Sequence, residues 1–257
     1  MSFKDHFSTG SSNYAAFRPS YPPALFGWLA GQCNQHELAW DCATGNGQAA
    51  VELAHHFRRV IATDASDRQI QSAKSHPHVE YRVAKAESSG LVNASVDLIT
   101  VAQAAHWFDL PNFYREAKRV LRPRGMIALW GYGRLMLPGT LDESLANFYD
   151  RIIGPYWPTE RALIDDAYRS LEFPFREIPA PGFSIEVSWN LPRLIAYLST
   201  WSAVKRYIAA QGRNPLIALE AELAARWCIE TKKVDDDCSP ETAHYLEWPL
   251  FLKVGRY

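Results

Sequence analysis

Asp41-Cys42-Ala43-Thr44-Gly45-Asn46-Gly47-Gln48 joins a short apolar run, residues 38–43, to a stretch with helical spacing. Glycines at such a junction let the chain turn tightly and let a ligand approach the backbone. A Gly-x-Gly pair alone is also found in ordinary turns between a strand and a helix. Asp64 adds weight, because it ends the next apolar run, residues 59–64, 17 positions beyond Gly47. A carboxylate there can accept hydrogen bonds from both hydroxyls of a ribose.

Working outward, short apolar runs alternate with helical stretches. Residues 48–57 place Ala50, Leu53, Ala54 and Phe57 on one face. Asp67 is placed to cap a helix reaching about residue 73. Residues 79–84, 96–102 and 126–130 read as further strands. Residues 111–121 form a helix with Phe113, Ala117, Val120 and Leu121 on its apolar stripe, stopped by Pro123-Arg124-Gly125. Strands alternating with helices predict a mostly parallel sheet covered on both faces. There are too few such units for a closed eight-fold barrel. Pro22 and Pro23 start a short helix ahead of the first strand.

After Gly133 the rhythm breaks. Residues 141–157, 161–171, 191–210 and 215–227 read as helices, and Trp201-Ser202 ends one of them. Two strands flank Pro179-Ala180-Pro181-Gly182, and residues 227–231 and 245–254 return to strand character. The simplest organisation is an insertion between strands of one sheet, packed over the strand ends as a lid. The acidic run 235–237 reads as a solvated turn, since its neighbours supply no hard-ligand set for a metal.

Composition bounds the function. The 257 residues are 47% hydrophobic and 21% charged, as expected of a soluble globular protein. With 27 Lys plus Arg against 28 Asp plus Glu, no basic excess points to nucleic acid. The start of the chain lacks an apolar signal region, and no stretch is long enough to span a membrane, so a cytoplasmic setting is the expectation. Cys33, Cys42, Cys228 and Cys238 contain no CxxC pair, which argues against a disulfide scaffold or a zinc site. The unusual feature is 9 Trp, 12 Tyr and 12 Phe, which either fill a core or line a pocket. Trp40 and Trp130 are assigned to the sheet core; Tyr14, Tyr21, Trp107 and the aromatics beyond residue 132 are assigned to a cavity.

The glycine turn carries Ala43 and Thr44 where a dinucleotide fingerprint would need an early glycine, and the helix opens with Gln48 and Ala49. A pyrophosphate is therefore a poorer match than a ligand without phosphate, such as S-adenosylmethionine. The sequence resembles a class I S-adenosylmethionine-dependent methyltransferase, most closely over residues 37–132. Asp41 through Gly47 resembles that family's acidic–x–Gly–x–Gly–x–Gly motif, with Ala43 replacing a common glycine. Asp64, with Ala65 beside it, resembles the ribose carboxylate. Ala86 and Glu87 resemble the adenine-side segment, and Ala102-Gln103-Ala104-Ala105-His106-Trp107-Phe108 the segment near the methionine part. The ends, including Tyr14 to Pro22 and Thr200-Trp201-Ser202, are similar to a small-molecule branch that includes trans-aconitate methyltransferases.

The resemblance implies a doubly wound Rossmann-like α/β sheet, mostly parallel with an antiparallel C-terminal strand, and a mainly helical inserted cap. Its divisions would be an N-terminal segment and lid, 1–36; a cofactor core, 37–133; a cap, 134–226; and C-terminal strands completing the sheet, 227–257. It implies S-adenosyl-L-methionine as cofactor, S-adenosyl-L-homocysteine as product, and a small acceptor such as an organic acid. The expected cofactor residues are Tyr14, Arg18, Asp41, Ala43, Thr44, Gly45, Gly47, Asp64, Ala65, Ala86, Glu87, Ala102, Gln103, Ala104 and Trp107. Tyr21, His106, Arg134 and Trp201 are the expected acceptor residues, with His106 as hydrogen-bond partner or general base. No metal, nucleic acid or membrane partner is expected, and the assembly is a monomer or homodimer. An NAD-dependent oxidoreductase and an inactive methyltransferase-fold binding protein are the alternatives.

Methyl transfer from a sulfonium is an in-line displacement that depends on orientation and a preorganised electrostatic site. A carboxylate acceptor is already nucleophilic at neutral pH and needs a clamp rather than a base. A hydroxyl or amine acceptor may require deprotonation as well.

Overall fold

The structure, a computed structural model, describes residues 20–228 and 239–257. Five strands run parallel in the order β3-β2-β1-β4-β5: β1 (Leu38–Cys42), β2 (Arg59–Asp64), β3 (Val79–Val83), β4 (Val96–Ala102) and β5 (Leu121–Tyr132). The long last strand, β8 (His244–Arg256), lies antiparallel to β5, from Met126↔Arg256 to Tyr132↔Leu250. Strand order reverses between β1 and β4, which opens a crevice at their carboxyl ends.

Alternation along each strand sends side chains to two apolar layers. Ala39, Leu98, Ala128 and Trp130 face a layer that includes Phe26 and Leu29 of α1 (Pro23–Gly31) and Ala50 and Leu53 of α2 (Gln48–Leu53). Trp40, Ile99, Ile127 and Leu129 face the other, with Phe113, Ala117 and Val120 of α4 (Leu110–Val120). Trp40 and Trp130 are both fully buried, as the sequence predicts. At about 25 cal/mol per Å² over ~200 Å², each such ring contributes about 5 kcal/mol before entropy is subtracted. The Trp40 indole N–H donates to Thr63 Oγ1 at 2.9 Å, so its polar edge is satisfied within that layer.

Between β5 and β8 lies the cap. It begins with α5 (Gly139–Asn147), a π turn (Phe148–Ile152), 3₁₀ turns (Gly154–Tyr156 and Thr159–Arg161) and α6 (Ala162–Asp165). Two strands, β6 (Arg176–Glu177) and β7 (Phe183–Trp189), pair antiparallel with β8 on the side away from β5. Three helices follow: α7 (Leu191–Ser199), α8 (Ser202–Gln211) and α9 (Leu216–Trp227). The insertion is thus helical with two strands stitched onto the sheet.

Several boundaries differ from the sequence reading. The helix expected over 48–57 ends at Leu53, in a turn that lets Phe57 reach the core. Asp67 opens α3 (Asp67–Gln71) rather than capping it; Ser66 holds the cap position, and the Asp67 carboxylate accepts from Gln71 Nε2 instead. The helix expected over 191–210 is broken at Thr200-Trp201, where Trp201 is extended and Ser202 starts α8. Trp227 ends α9 instead of opening a strand. Cys33 and Cys42 are free thiols, and Cys228 is disulfide-bonded. Tyr14, Arg18, the acidic run 235–237 and Cys238 lie outside the described residues.

Among the described residues, no helix is long and apolar enough to cross a membrane.

Candidate cofactor and acceptor site

The turn after β1 is left-handed at three alternate positions: Ala43 at φ 56°, Gly45 at 57° and Gly47 at 83°. Thr44 N–H donates to Thr63 O at 2.9 Å, which ties the turn to β2. Gly47 occupies the amino-terminal cap of α2, and a Cβ there would lie 2.2 Å from Tyr81 Oη. Conformation and space both demand glycine at this point.

Two carboxylates organise the turn. Asp64, closing β2, accepts from Gly45 N–H at 2.9 Å and from Ser66 N–H at 2.8 Å. Asp41 is only 1% exposed. Thr100 Oγ1 donates to one of its oxygens at 2.7 Å, and Thr44 Oγ1 donates to the other. Burial pushes the Asp41 carboxyl up to about 6; the threonine hydrogen bonds oppose this, while the charge of Asp64 adds to it. Two carboxyl groups therefore back the turn, of which Asp41 is protonated more readily than an exposed aspartate.

The loops after β3 and β4 close the same edge. Ala86 is buried and Ala65 half-buried. Glu87 Oε1 accepts from Asp109 N–H at 3.1 Å, linking the two loops at the start of α4. Gln103, at φ 57°, uses its whole amide on β5: Nε2 donates to Tyr132 O at 2.9 Å and Oε1 accepts from Tyr132 N–H at 3.1 Å. A Cβ on Gly131 would lie 2.5 Å from Gln103 Oε1, so glycine makes room for this clamp. Gln103 therefore holds Ala102 and Ala104 in place through the backbone, its side chain being occupied.

His106 lies on a 3₁₀ turn, Ala105–Trp107, just past β4. Its Nδ1 is 3.1 Å from Tyr168 Oη, and its ring lies 4.8 Å from that of Trp107. Tyr168 comes from the cap, is fully buried and has a left-handed backbone at φ 57°. Burial raises its phenol pKa, while hydrogen bonding from the backbone N–H groups of His106 and Ala105 counters this. At that distance Nδ1 accepts the phenol proton in one imidazole tautomer and donates to the phenol oxygen in the other.

The remaining predicted residues separate. Tyr21 is buried against the sheet, its ring 5.6 Å from Trp130 and 6.4 Å from Tyr132. Arg134 is committed to Asp142 by two hydrogen bonds of 2.7 and 2.8 Å, and Nη1 also donates to Leu135 O. Trp201 joins a cap cluster, 5.6 Å from Tyr149 and 5.5 Å from Trp157. Tyr168 and Arg161, which belong to that same part of the cap, were not singled out from the sequence. Tyr168 is 62 positions from His106, and no local pattern marks such a contact. An open groove of about 720 Å³ lies at the opposite, amino ends of the strands, lined by paired charges such as Arg58, Glu37, Arg59 and Glu80.

Comparison with known proteins agrees with this geometry. The family described as "Methyltransferase domain" matches residues 40–129, the span from β1 through most of β5. A candidate methyltransferase of Dictyostelium discoideum is 38% identical over 225 residues, covering 86% of each chain. An uncharacterized methyltransferase of Schizosaccharomyces pombe is 32% identical over 127 residues, 48% of this chain and 51% of that one. The solved structure of a candidate type II methyltransferase from Anaeromyxobacter dehalogenans superposes with a TM-score of 0.86 at 40% identity, covering 93% of this chain and 98% of that one. The glycine turn, the two carboxylates behind it and the full-length likeness converge: this chain belongs to the class I S-adenosylmethionine-dependent methyltransferases.

Proposed function

We propose that this protein transfers a methyl group from S-adenosylmethionine to a small molecule, at a carboxylate oxygen. The residues present fit that cofactor: Asp64 sets a carboxylate at the end of β2, and the left-handed turn brings backbone close to the ligand. When bound, S-adenosylmethionine supplies a methyl group on a sulfonium sulfur that leaves as a neutral thioether. Asp64 would receive the ribose hydroxyls, Ala86 and Glu87 would flank the adenine, and residues 102–107 would border the methionine part. Residues 37–133 then form the cofactor core and residues 134–226 the cap over the acceptor. Tyr14 and Arg18 remain assigned to the cofactor, and Tyr21 to the acceptor side, on the sequence resemblance.

The observation that carries the carboxylate reading is the His106–Tyr168 pair. In the tautomer assigned here Nδ1 accepts from Tyr168, and Nε2–H is then a donor. A donor orients an anionic oxygen that is already nucleophilic; it cannot remove a proton from an alcohol or amine. His106 is accordingly assigned the role of hydrogen-bond partner to the acceptor rather than base. The likeness of the chain ends to the trans-aconitate methyltransferase branch supports the same class of acceptor. A product screen with methyl-labelled S-adenosylmethionine against carboxylic acids, phenols and amines tests this. Labelled products among the acids alone are expected; labelling confined to phenols or amines would overturn the carboxylate assignment.

A further inference from the structure

We infer that Arg161 is the cation that receives the acceptor's carboxylate, with the acceptor's flat apolar body lying against Trp157 and Trp201. This deepens the carboxylate reading above and rests on it.

The placement comes first. The turn Thr159–Arg161 packs against the turn Ala105–Trp107 that carries His106. The charge of Arg161 acts on the hydroxyl of Tyr168, the partner of His106. Arg161 therefore belongs to the surroundings of the proposed Nε2–H donor, although it lies in a part of the cap with no sequence pattern.

The geometry of the guanidinium comes second. Its centre lies 4.5 Å from the Trp157 ring and 5.6 Å from the Tyr149 ring. Nε donates to Tyr149 Oη at 3.0 Å, and Tyr149 Oη donates to Asp165 Oδ1 at 2.9 Å. Nε is also 3.5 Å from Asp165 Oδ1. The side chain is 19% exposed, so the head is fixed and largely dry. Among the described residues, neither Nη1 nor Nη2 has a hydrogen-bond or ion-pair partner. A stacked guanidinium presents its edge, and that edge matches a carboxylate by two parallel N–H···O bonds.

A third polar atom in the cluster lacks a partner. Trp157 Nε1 is buried and makes no hydrogen bond. An orphaned buried donor is costly, and an acceptor oxygen arriving beside it would remove that cost. Arg134 offers no comparable edge, because both of its terminal nitrogens are used by Asp142. Rings of Tyr149, Trp157 and Trp201 lie 5.1–5.6 Å apart and make a rigid aromatic wall. Such a wall favours an unsaturated or aromatic acid over a short hydroxy acid.

The test uses the full chain saturated with S-adenosylhomocysteine, titrated with benzoate and cinnamate and with the matching amides, benzamide and cinnamamide. The acids are expected to bind, and the amides about tenfold more weakly or worse. R161Q should weaken acid binding at least about tenfold while leaving amide and S-adenosylhomocysteine affinity unchanged. R161K, which keeps the charge and loses the fork, should fall between them, and in turnover the loss should appear in KM rather than kcat. R161Q binding the acids as tightly as the wild type would overturn the clamp, as would equal binding of acids and amides. If R161Q does not melt cooperatively, R161K decides: an acid KM equal to that of the wild type overturns the clamp. The carboxylate reading fails separately, in the product screen, if the wild type methylates no acid.

Discussion

The turn after β1 and the aromatic cluster around Arg161 sit at the same edge of the sheet but are built differently. In the turn, left-handed backbone at alternate positions sets the path of residues 43–47, and Asp64 at the end of β2 accepts from the N–H groups of Gly45 and Ser66. In the cap, Arg161 is fixed by Trp157, Tyr149 and Asp165, and His106 is fixed by Tyr168 from 62 positions away. The first arrangement is the one proposed above for the cofactor, a ligand of fixed structure. The second uses side chains on irregular backbone, which can vary without disturbing the sheet. One face is therefore specified by the sheet fold, and the other is the one proposed to receive the acceptor.

That contrast can be broken by substitutions that act on one side alone. The largest expected effect is from Gly47→Ala. Left-handed strain and the collision with Tyr81 Oη should together cost about 2–4 kcal/mol and reduce S-adenosylmethionine affinity by roughly 10²-fold. Calorimetry and thermal melting measure both. Wild-type affinity in this variant would mean that the turn is not the cofactor site.

Asp64→Ala comes next. It removes an acceptor that holds Gly45 and Ser66 and is assigned to the ribose. A loss of about 1.5–3 kcal/mol, or roughly 10- to 100-fold in cofactor affinity, is expected. The KM for the acceptor should change little. An unchanged cofactor affinity would remove Asp64 from the ribose role.

What is legible in the sequence follows the same divide. Strands β1 to β5 are legible because short continuous apolar runs and glycine punctuation are local signals. Trp40 and Trp130 were placed correctly for that reason. The cap resisted, because its break at Thr200-Trp201, its π turn and the pairing of β7 with β8 are set by packing between distant segments. Arg134 illustrates the failure: an arginine just past a strand end looked like an acid clamp, yet Asp142, eight residues on, takes both of its terminal nitrogens. Arg161 had no local mark at all, since its significance depends on which rings and which turn it meets.

A comparable effect, on stability alone, concerns pH. The folded-state pKa of Asp41 is raised to about 6, so the protonated form is favoured in the fold. The stability contributed by this group is complete below about pH 4, its unfolded range, and is lost as pH rises through about 6. Asp41→Asn cannot titrate. Its stability relative to wild type should therefore rise between about pH 4 and pH 7, by an amount on the order of 2–3 kcal/mol. Parallel denaturant curves for the two proteins across that range would show it; a difference independent of pH would mean that Asp41 is not protonated preferentially in the fold.

The smallest effect is expected at Ala43. Its φ of 56° strains an alanine, and Ala43→Gly relieves that strain at the expense of a more flexible unfolded chain. The net gain should be no more than about 1 kcal/mol, with cofactor affinity unchanged. A clear loss of stability by melting would show that the left-handed turn is not strained at this position.

The central claim is that the two faces meet to methylate a carboxylate oxygen. The most direct measurement is the chemical nature of the bond that the wild-type protein makes when methyl-labelled S-adenosylmethionine is supplied with cinnamate and related unsaturated acids. A methyl ester is predicted, so mild alkali should release the label as methanol. A label that survives alkali, as an ether or an N-methyl group would, contradicts the assignment.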